Sequence, residues 1–227
     1  HMNGVYEMRI EIFDSTLRDG AQGEGISFSV QDKLNIVKTL DEFGVTYIEA
    51  GNPASNPKEI LFFEELKKIK LNKSKVCAFG STVRLGSVLS EDSSIKSLLD
   101  ADTDVVTIFG KAWDLHVTEI LQISLEDNLE IVYNTISYLK GKGKEVIFDA
   151  EHFFDGYRAN AEYAVKVLAS AAKAGADCLC LCDTNGGTLP RDIENITREI
   201  KQKFTARIAI HCHDDSGCAV ANTLAAV

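Results

Sequence analysis

No apolar run in this 227-residue chain approaches the roughly 20 residues needed to span a bilayer, so no membrane partner is expected. No secretory leader is visible at its start, and a cytoplasmic protein is expected. Positive charge is scarce: 24 Lys and Arg against 34 Asp and Glu leave a net charge of −10. A nucleic-acid binder would usually show a basic face, and no nucleic-acid partner is expected. Anionic small substrates stay open, because one arginine or a metal overrides the global field locally. The six cysteines contain no C-x-x-C pair, which counts against a soft-metal thiolate site. No G-x-G-x-x-G turn follows the first apolar segment, which counts against a dinucleotide fold.

What is present is one rhythm. Strand-like runs at 8–14, 46–51, 76–80, 104–109, 145–153, 178–183 and 207–213 alternate with helix-like runs at 29–43, 57–69, 93–101, 125–139, 161–174, 192–204 and 218–227. Ser29 and Asp32 form a plausible N-terminal cap, and Gly44 closes the same helix. Pro57 suits a first helical turn. Such alternation predicts an α/β fold with a parallel sheet and helices outside it. A doubly wound open sheet is one option, and seven βα units favour the (β/α)8 TIM barrel. The expectation is one catalytic barrel domain over 3–227, truncated after about seven βα units and lacking its last strand and helix, with 1–2 an expression remnant. Cys178, Cys180 and Cys182 alternate on one strand face, where neighbours make poor disulfide partners; they are expected to be reduced core thiols.

The polar residues gather at strand C-termini: Asp19, Asn52, Ser81-Thr82, Lys111, Glu151-His152, Asp183-Thr184-Asn185 and His211/His213. Barrel enzymes keep their chemistry at that end. Within His211-Cys212-His213 the imidazoles lie two residues apart, so on a strand they share a face. A carboxylate completes a divalent site of the His/His/carboxylate kind, and Asp19 is the best candidate. Beside it, Arg18 offers a planar cation to an anionic substrate, and Glu49 is placed to hold Arg18 through a bidentate pair. Asp214 and Asp215 are further ligand candidates or caps of the next helix. Glu151 shares a strand face with Asp149 and is either used in the reaction or paired in the structure. Thr184 precedes Gly186-Gly187; the segment reads equally as a carboxylate contact, a phosphate nest or a bare turn.

Two segments, Asp14-Ser15-Thr16-Leu17-Arg18-Asp19-Gly20 and His211-Cys212-His213-Asp214-Asp215-Ser216-Gly217, resemble signatures of the α-isopropylmalate, homocitrate and citramalate synthase group. These are divalent-metal Claisen-condensing barrels that share a fold with 3-hydroxy-3-methylglutaryl-CoA lyase. In the second segment Asp214 or Asp215 stands where Asn is usual. The stretches 22–29, 78–82, 110–117 and 148–157 look like the citramalate branch. The resemblance implies an acyltransferase joining acetyl-CoA to pyruvate, on the way to isoleucine, in a homodimer. It implies Asp19, His211 and His213 as ligands of Zn, Mn or Mg, and Arg18 as a stabiliser of enolate or keto oxygen. It implies that Gln22, Glu151 and Thr184 touch metal, water or substrate, and that the general base is a histidine from beyond the barrel. The alternatives are another 2-keto acid (2-isopropylmalate or homocitrate synthase), a metal-dependent C–C lyase, or a metal and keto-acid binding module without turnover.

Overall fold

The computed structural model describes residues 10–227. Among the described residues, seven strands form one all-parallel sheet: β1 Phe13–Asp14, β2 Tyr47–Gly51, β3 Lys75–Ser81, β4 Val105–Lys111, β5 Glu145–Glu151, β6 Cys178–Asp183 and β7 Arg207–Cys212. Their spatial order is β1-β2-β3-β4-β5-β6-β7. A doubly wound sheet would reverse direction at a switch point. Here each strand lies beside its predecessor, so the chain winds one way and the barrel expectation holds. Only Phe13–Asp14 of the first expected strand is assigned, although the Ile12 carbonyl still accepts the N–H groups of Thr46 and Tyr47. Met8 and Arg9 of that strand, and the His1-Met2 remnant, lie outside the described residues.

Among the described residues, nine α-helical segments follow these strands: α1 Val30–Phe43, α2 Pro57–Leu66, α3 Ser93–Asp100, the single turn α4 Asp114–His116, α5 Leu125–Gly141, α6 Phe153–Ala159, α7 Ala161–Lys173, α8 Pro190–Lys203 and α9 Ala219–Ala226. The Ser29–Asp32 capping box opens α1, and Gly44 ends it at φ +96°. Several runs depart from expectation. α2 stops at Leu66 rather than Ile69. Gly141 lies inside α5, and Gly143, at φ +81°, makes the turn. Phe153 belongs to α6, not to β5. The glycine in the middle of α6 is required by packing, since a Cβ on Gly156 would stand 2.5 Å from the Ala112 carbonyl oxygen.

Strand alternation sorts side chains into two layers. Ile48, Ala78, Val106, Phe148 and Leu179 face outward and pack under the helices with Phe62, Phe63, Ile136 and Leu168. Tyr47, Cys77, Val105, Ile147, Cys178, Cys180 and Cys182 face inward. All six cysteines are free thiols; Cys178, Cys180 and Cys182 lie in the core as expected, Cys77 joins them, and Cys212 and Cys218 are partly exposed.

At the N-terminal rim, first residues of four strands meet. Tyr47 donates to Glu145 Oε1 at 2.6 Å, Lys75 to Glu145 Oε2 at 2.7 Å, and Arg207 to Glu145 Oε1 at 2.7 Å and to the Tyr47 hydroxyl at 2.9 Å. Arg207 also pairs with Glu11, ahead of β1. Side chains of β2, β3, β5 and β7 reach one point only if the sheet curls, so the edges β1 and β7 are brought face to face. Partial burial pushes the Glu145 carboxyl up, but hydrogen bonds from Lys75, Tyr47 and Arg207 outweigh it and leave it at about 2, against an ordinary 4.5. A depressed carboxylate stabilises the fold above its unfolded value, and that contribution fades as pH falls through the folded one. A Glu145→Gln protein is therefore expected to be less stable than wild type at pH 7. The deficit shrinks as pH drops from about 4.5 toward 2, measured by denaturant unfolding across that range. A deficit independent of pH would contradict the network.

Candidate active site

The turn after β1 is anchored at Leu17, which is 1% exposed. The Asp14 carboxylate accepts the Thr16 N–H at 3.0 Å and its hydroxyl at 3.1 Å, and the Ser15 carbonyl accepts the Gly20 N–H at 3.0 Å. This winding lifts Arg18 and Asp19 to the C-terminal rim. Arg18 Nε donates to Glu49 Oε2 at 2.7 Å, and Nη1 to Asp19 Oδ1 at 3.2 Å. The pair with Glu49 is thus made through one N–H and is not bidentate: Ser15 Oγ donates to the same carboxylate oxygen, and the second guanidinium edge turns to Asp19. A register shift in β2 between Glu49 and Gly51 sets the Glu49 side chain, which is fully buried. Burial works against the Arg18 charge, but Glu49 more than compensates, and the guanidinium is held charged. Its carbon sits 4.0 Å over the Phe79 ring, which stacks on Phe109 at 5.4 Å.

His211 and His213 come to the same carboxylate from β7. His211 Nε2 is 3.2 Å and His213 Nε2 3.1 Å from Asp19 Oδ2. The three ligand atoms lie within 4.8 Å of one another. The His213 N–H continues the ladder onto the Asp183 carbonyl, so strand parity persists one residue past the assigned end of β7. His213 Nδ1 stands 2.8 Å from the Thr184 carbonyl oxygen. A carbonyl only accepts, so Nδ1 carries the hydrogen. In the neutral ring Nε2 is then a lone pair pointed at a carboxylate oxygen. Two acceptors face one another at 3.1 Å, an arrangement that a cation between them satisfies: a proton on the ring, or a metal ion. Hydrogen bonding from His211 holds the Asp19 carboxyl well below the usual carboxylate range against its own burial, and the same contact raises His211. The residues fit a divalent ion.

The remaining expected residues ring this point. Glu151 ends β5 and pairs with Lys111 at the end of β4. The register Lys111↔Glu151 makes them direct neighbours, a pairing that only the sheet reveals. Next to Glu151, His152 adopts φ +53°, a strained turn held by its N–H on Thr184 Oγ1 at 2.9 Å and by its ring against Asp155 at 3.3 Å. Thr184 thus serves His213 through its carbonyl and His152 through its hydroxyl oxygen. The glycine segment after it is a structural turn, since the Asp183 carboxylate accepts the Thr188 N–H and hydroxyl. Asp214 accepts the Ala219 N–H at 2.9 Å and so caps α9. Gln22 lies on the short turn Gly20–Gln22 beside Asp19, exposed, with no side-chain hydrogen bond among the described residues. Below the rim, burial first and then the charge of Glu49 push the Asp149 carboxyl up to about 7.

The sequence matches the HMGL-like family over residues 9–227. It is 56% identical over 220 residues to (R)-citramalate synthase of Aquifex aeolicus, covering 96% of this chain and 42% of that protein. It is 54% identical over 218 residues to (R)-citramalate synthase of Geobacter sulfurreducens, covering 96% and 41%. The chain therefore spans about two fifths of the length of these curated relatives. Among solved structures, the HMG-CoA lyase of Bacillus subtilis superposes with a TM-score of 0.77 at 22% identity, covering 96% of this chain and 73% of that one, a likeness of fold. With the family signature matched from before β1 through α9, around a rim that gathers Arg18, Asp19, His211 and His213, the chain belongs to the HMGL-like family.

Proposed function

We propose that this protein condenses acetyl-CoA with a 2-keto acid, pyruvate foremost, to give citramalate and coenzyme A, with Asp19, His211 and His213 holding a divalent ion. The observation that carries the reading is the acceptor-to-acceptor contact of His213 Nε2 with Asp19 Oδ2, set beside the buried Arg18 guanidinium. When bound, the ion supplies Lewis-acid polarisation of the keto carbonyl. The two imidazoles favour Zn or Mn over Mg.

In the condensation the acetyl methyl loses a proton, its carbon bonds to the keto carbon, the keto oxygen becomes a hydroxyl, and water cleaves the thioester. Arg18 is the group placed to stabilise oxygen charge as it develops. Glu49 and Asp19 fix its Nε and Nη1, and its Nη2 makes no hydrogen bond among the described residues. Thr184 still has its hydroxyl hydrogen to donate to a substrate carboxylate, since its oxygen accepts from His152. Glu151, steadied by Lys111, orders a substrate hydroxyl or water, and Gln22 borders the entrance. The 49–56% identity to proteins named (R)-citramalate synthase supports pyruvate as the acceptor and condensation over cleavage.

The test is release of coenzyme A thiol from acetyl-CoA by the whole protein with metal present. Release is expected with pyruvate and is expected to be much slower with 2-ketoisovalerate or 2-oxoglutarate. Release with none of the three keto acids, or cleavage of a 3-hydroxyacyl-CoA instead, would overturn the reading.

A further inference from the structure

Beneath the rim lies a second constellation, which shares one imidazole with the rim site and adds two groups that the condensation does not use. Asp149 of β5, Cys182 of β6 and His211 of β7 point into the barrel, and their ligand atoms lie within 4.8 Å of one another. Cys182 and His211 are direct register partners on neighbouring strands. Asp149 and Cys182 are each only 7% exposed. The donor set is one thiol, one carboxylate and one imidazole, which suits zinc or cadmium and suits magnesium poorly.

The charge balance of the interior points the same way. Asp19, Glu49 and Asp149 bring three carboxyl groups to this region, and Arg18 is the guanidinium among them. Glu49 Oε1 is fully buried and has no hydrogen-bond partner among the described residues. Buried carboxylate oxygens left without a partner are costly, and a cation in their midst removes the cost. Of the three, His211 also lines the open cleft at the rim, together with Asp19, Gly20 and His213.

We propose that Asp149, Cys182 and His211 form a second, inner position for a thiophilic divalent cation, which takes His211 away from the rim site. Binding there forms a sulfur–metal bond and breaks the S–H bond of Cys182, whose proton passes to water; nothing is oxidised. Because His211 serves both groups, filling the inner position with zinc or cadmium disarms the outer one. The inference shares His211 with the proposed function but needs neither Asp19 nor His213.

The experiment is a cadmium titration of metal-free protein, following the thiolate-to-cadmium charge-transfer band in the ultraviolet. Wild type, His213→Ala and Cys218→Ser are expected to show the band, saturating at one equivalent. Cys182→Ser and Cys182→Ala lose it, and Asp149→Asn binds more weakly, with far-UV circular dichroism confirming that each variant is folded. A full band in both Cys182 variants would overturn the proposal, as would its loss in Cys218→Ser or in His213→Ala. A parallel manganese titration, read by electron paramagnetic resonance, separates the two sites. Loss of manganese binding in His213→Ala supports the rim site, and its retention there contradicts the rim site without touching the inner one.

Discussion

Arg18→Lys in the whole protein is expected to lower kcat by on the order of 10²–10³, the usual consequence of losing one preorganised donor to a developing oxyanion. Lysine keeps the charge and loses the planar fork. Arg18 divides that fork between Glu49 at 2.7 Å and Asp19 at 3.2 Å while lying flat on Phe79. A lysine ammonium cannot hold both contacts and still face the reacting oxygen. The loss should fall on kcat more than on KM, because the interaction strengthens as charge develops. Steady-state kinetics on acetyl-CoA and pyruvate, with unfolding curves as a control, decide it. Turnover near wild type would remove Arg18 from the chemistry.

The second large effect lies outside the site. Lys33 Nζ donates to both oxygens of Glu59, at 2.8 and 2.7 Å, with the lysine side chain 3% and the glutamate side chain 11% exposed. The ammonium also stands 4.4 Å over the Phe62 ring. The pair is pressed against Gly51, where a Cβ would meet Glu59 Oε2 at 2.2 Å and where φ is +139°. Lys33→Met leaves Glu59 buried and unpaired, and a loss of about 3–5 kcal/mol is expected from urea unfolding. Lys33→Met with Glu59→Leu should recover much of it, since removing both charges removes the uncompensated one. A single-variant loss below about 1 kcal/mol would mean that water reaches Glu59 and the pair is solvated. The consequence for the site is direct: Gly51 lies two residues beyond Glu49, in the shifted register that aims Glu49 at Arg18.

Much of this was legible in the sequence because it is local. Helix limits followed from caps such as Ser29–Asp32 and from Gly44. The convergence of His211 and His213 followed from strand parity, and the rim position of Asp19 from its place after the first strand. What was not legible depends on register and on strand order. Lys111 and Glu151 each stood at a strand end in the sequence, but only the β4–β5 alignment makes them a pair. The stack of Phe79 on Phe109 was hidden in two continuous apolar runs, where nothing distinguishes one aromatic from its neighbours. The α6 helix was missed because a short segment with a central glycine carries too little periodicity, and the reason for that glycine is a neighbour 44 residues away in sequence, Ala112. The bidentate expectation for Glu49 failed for a related reason: Ser15 claims the same oxygen, and that contact is also tertiary.

The central claim is that Asp19, His211 and His213 bind one divalent ion. A structure determined with manganese, which the thiol-bearing inner group suits poorly, tests it most directly, with anomalous scattering locating the ion. The expected result is a single rim ion coordinated by Asp19 Oδ2 and the Nε2 atoms of His211 and His213, with the Nδ1 of His213 still donating to the Thr184 carbonyl. An ion bound elsewhere, with Asp19 and the two imidazoles left out of its coordination, would contradict it.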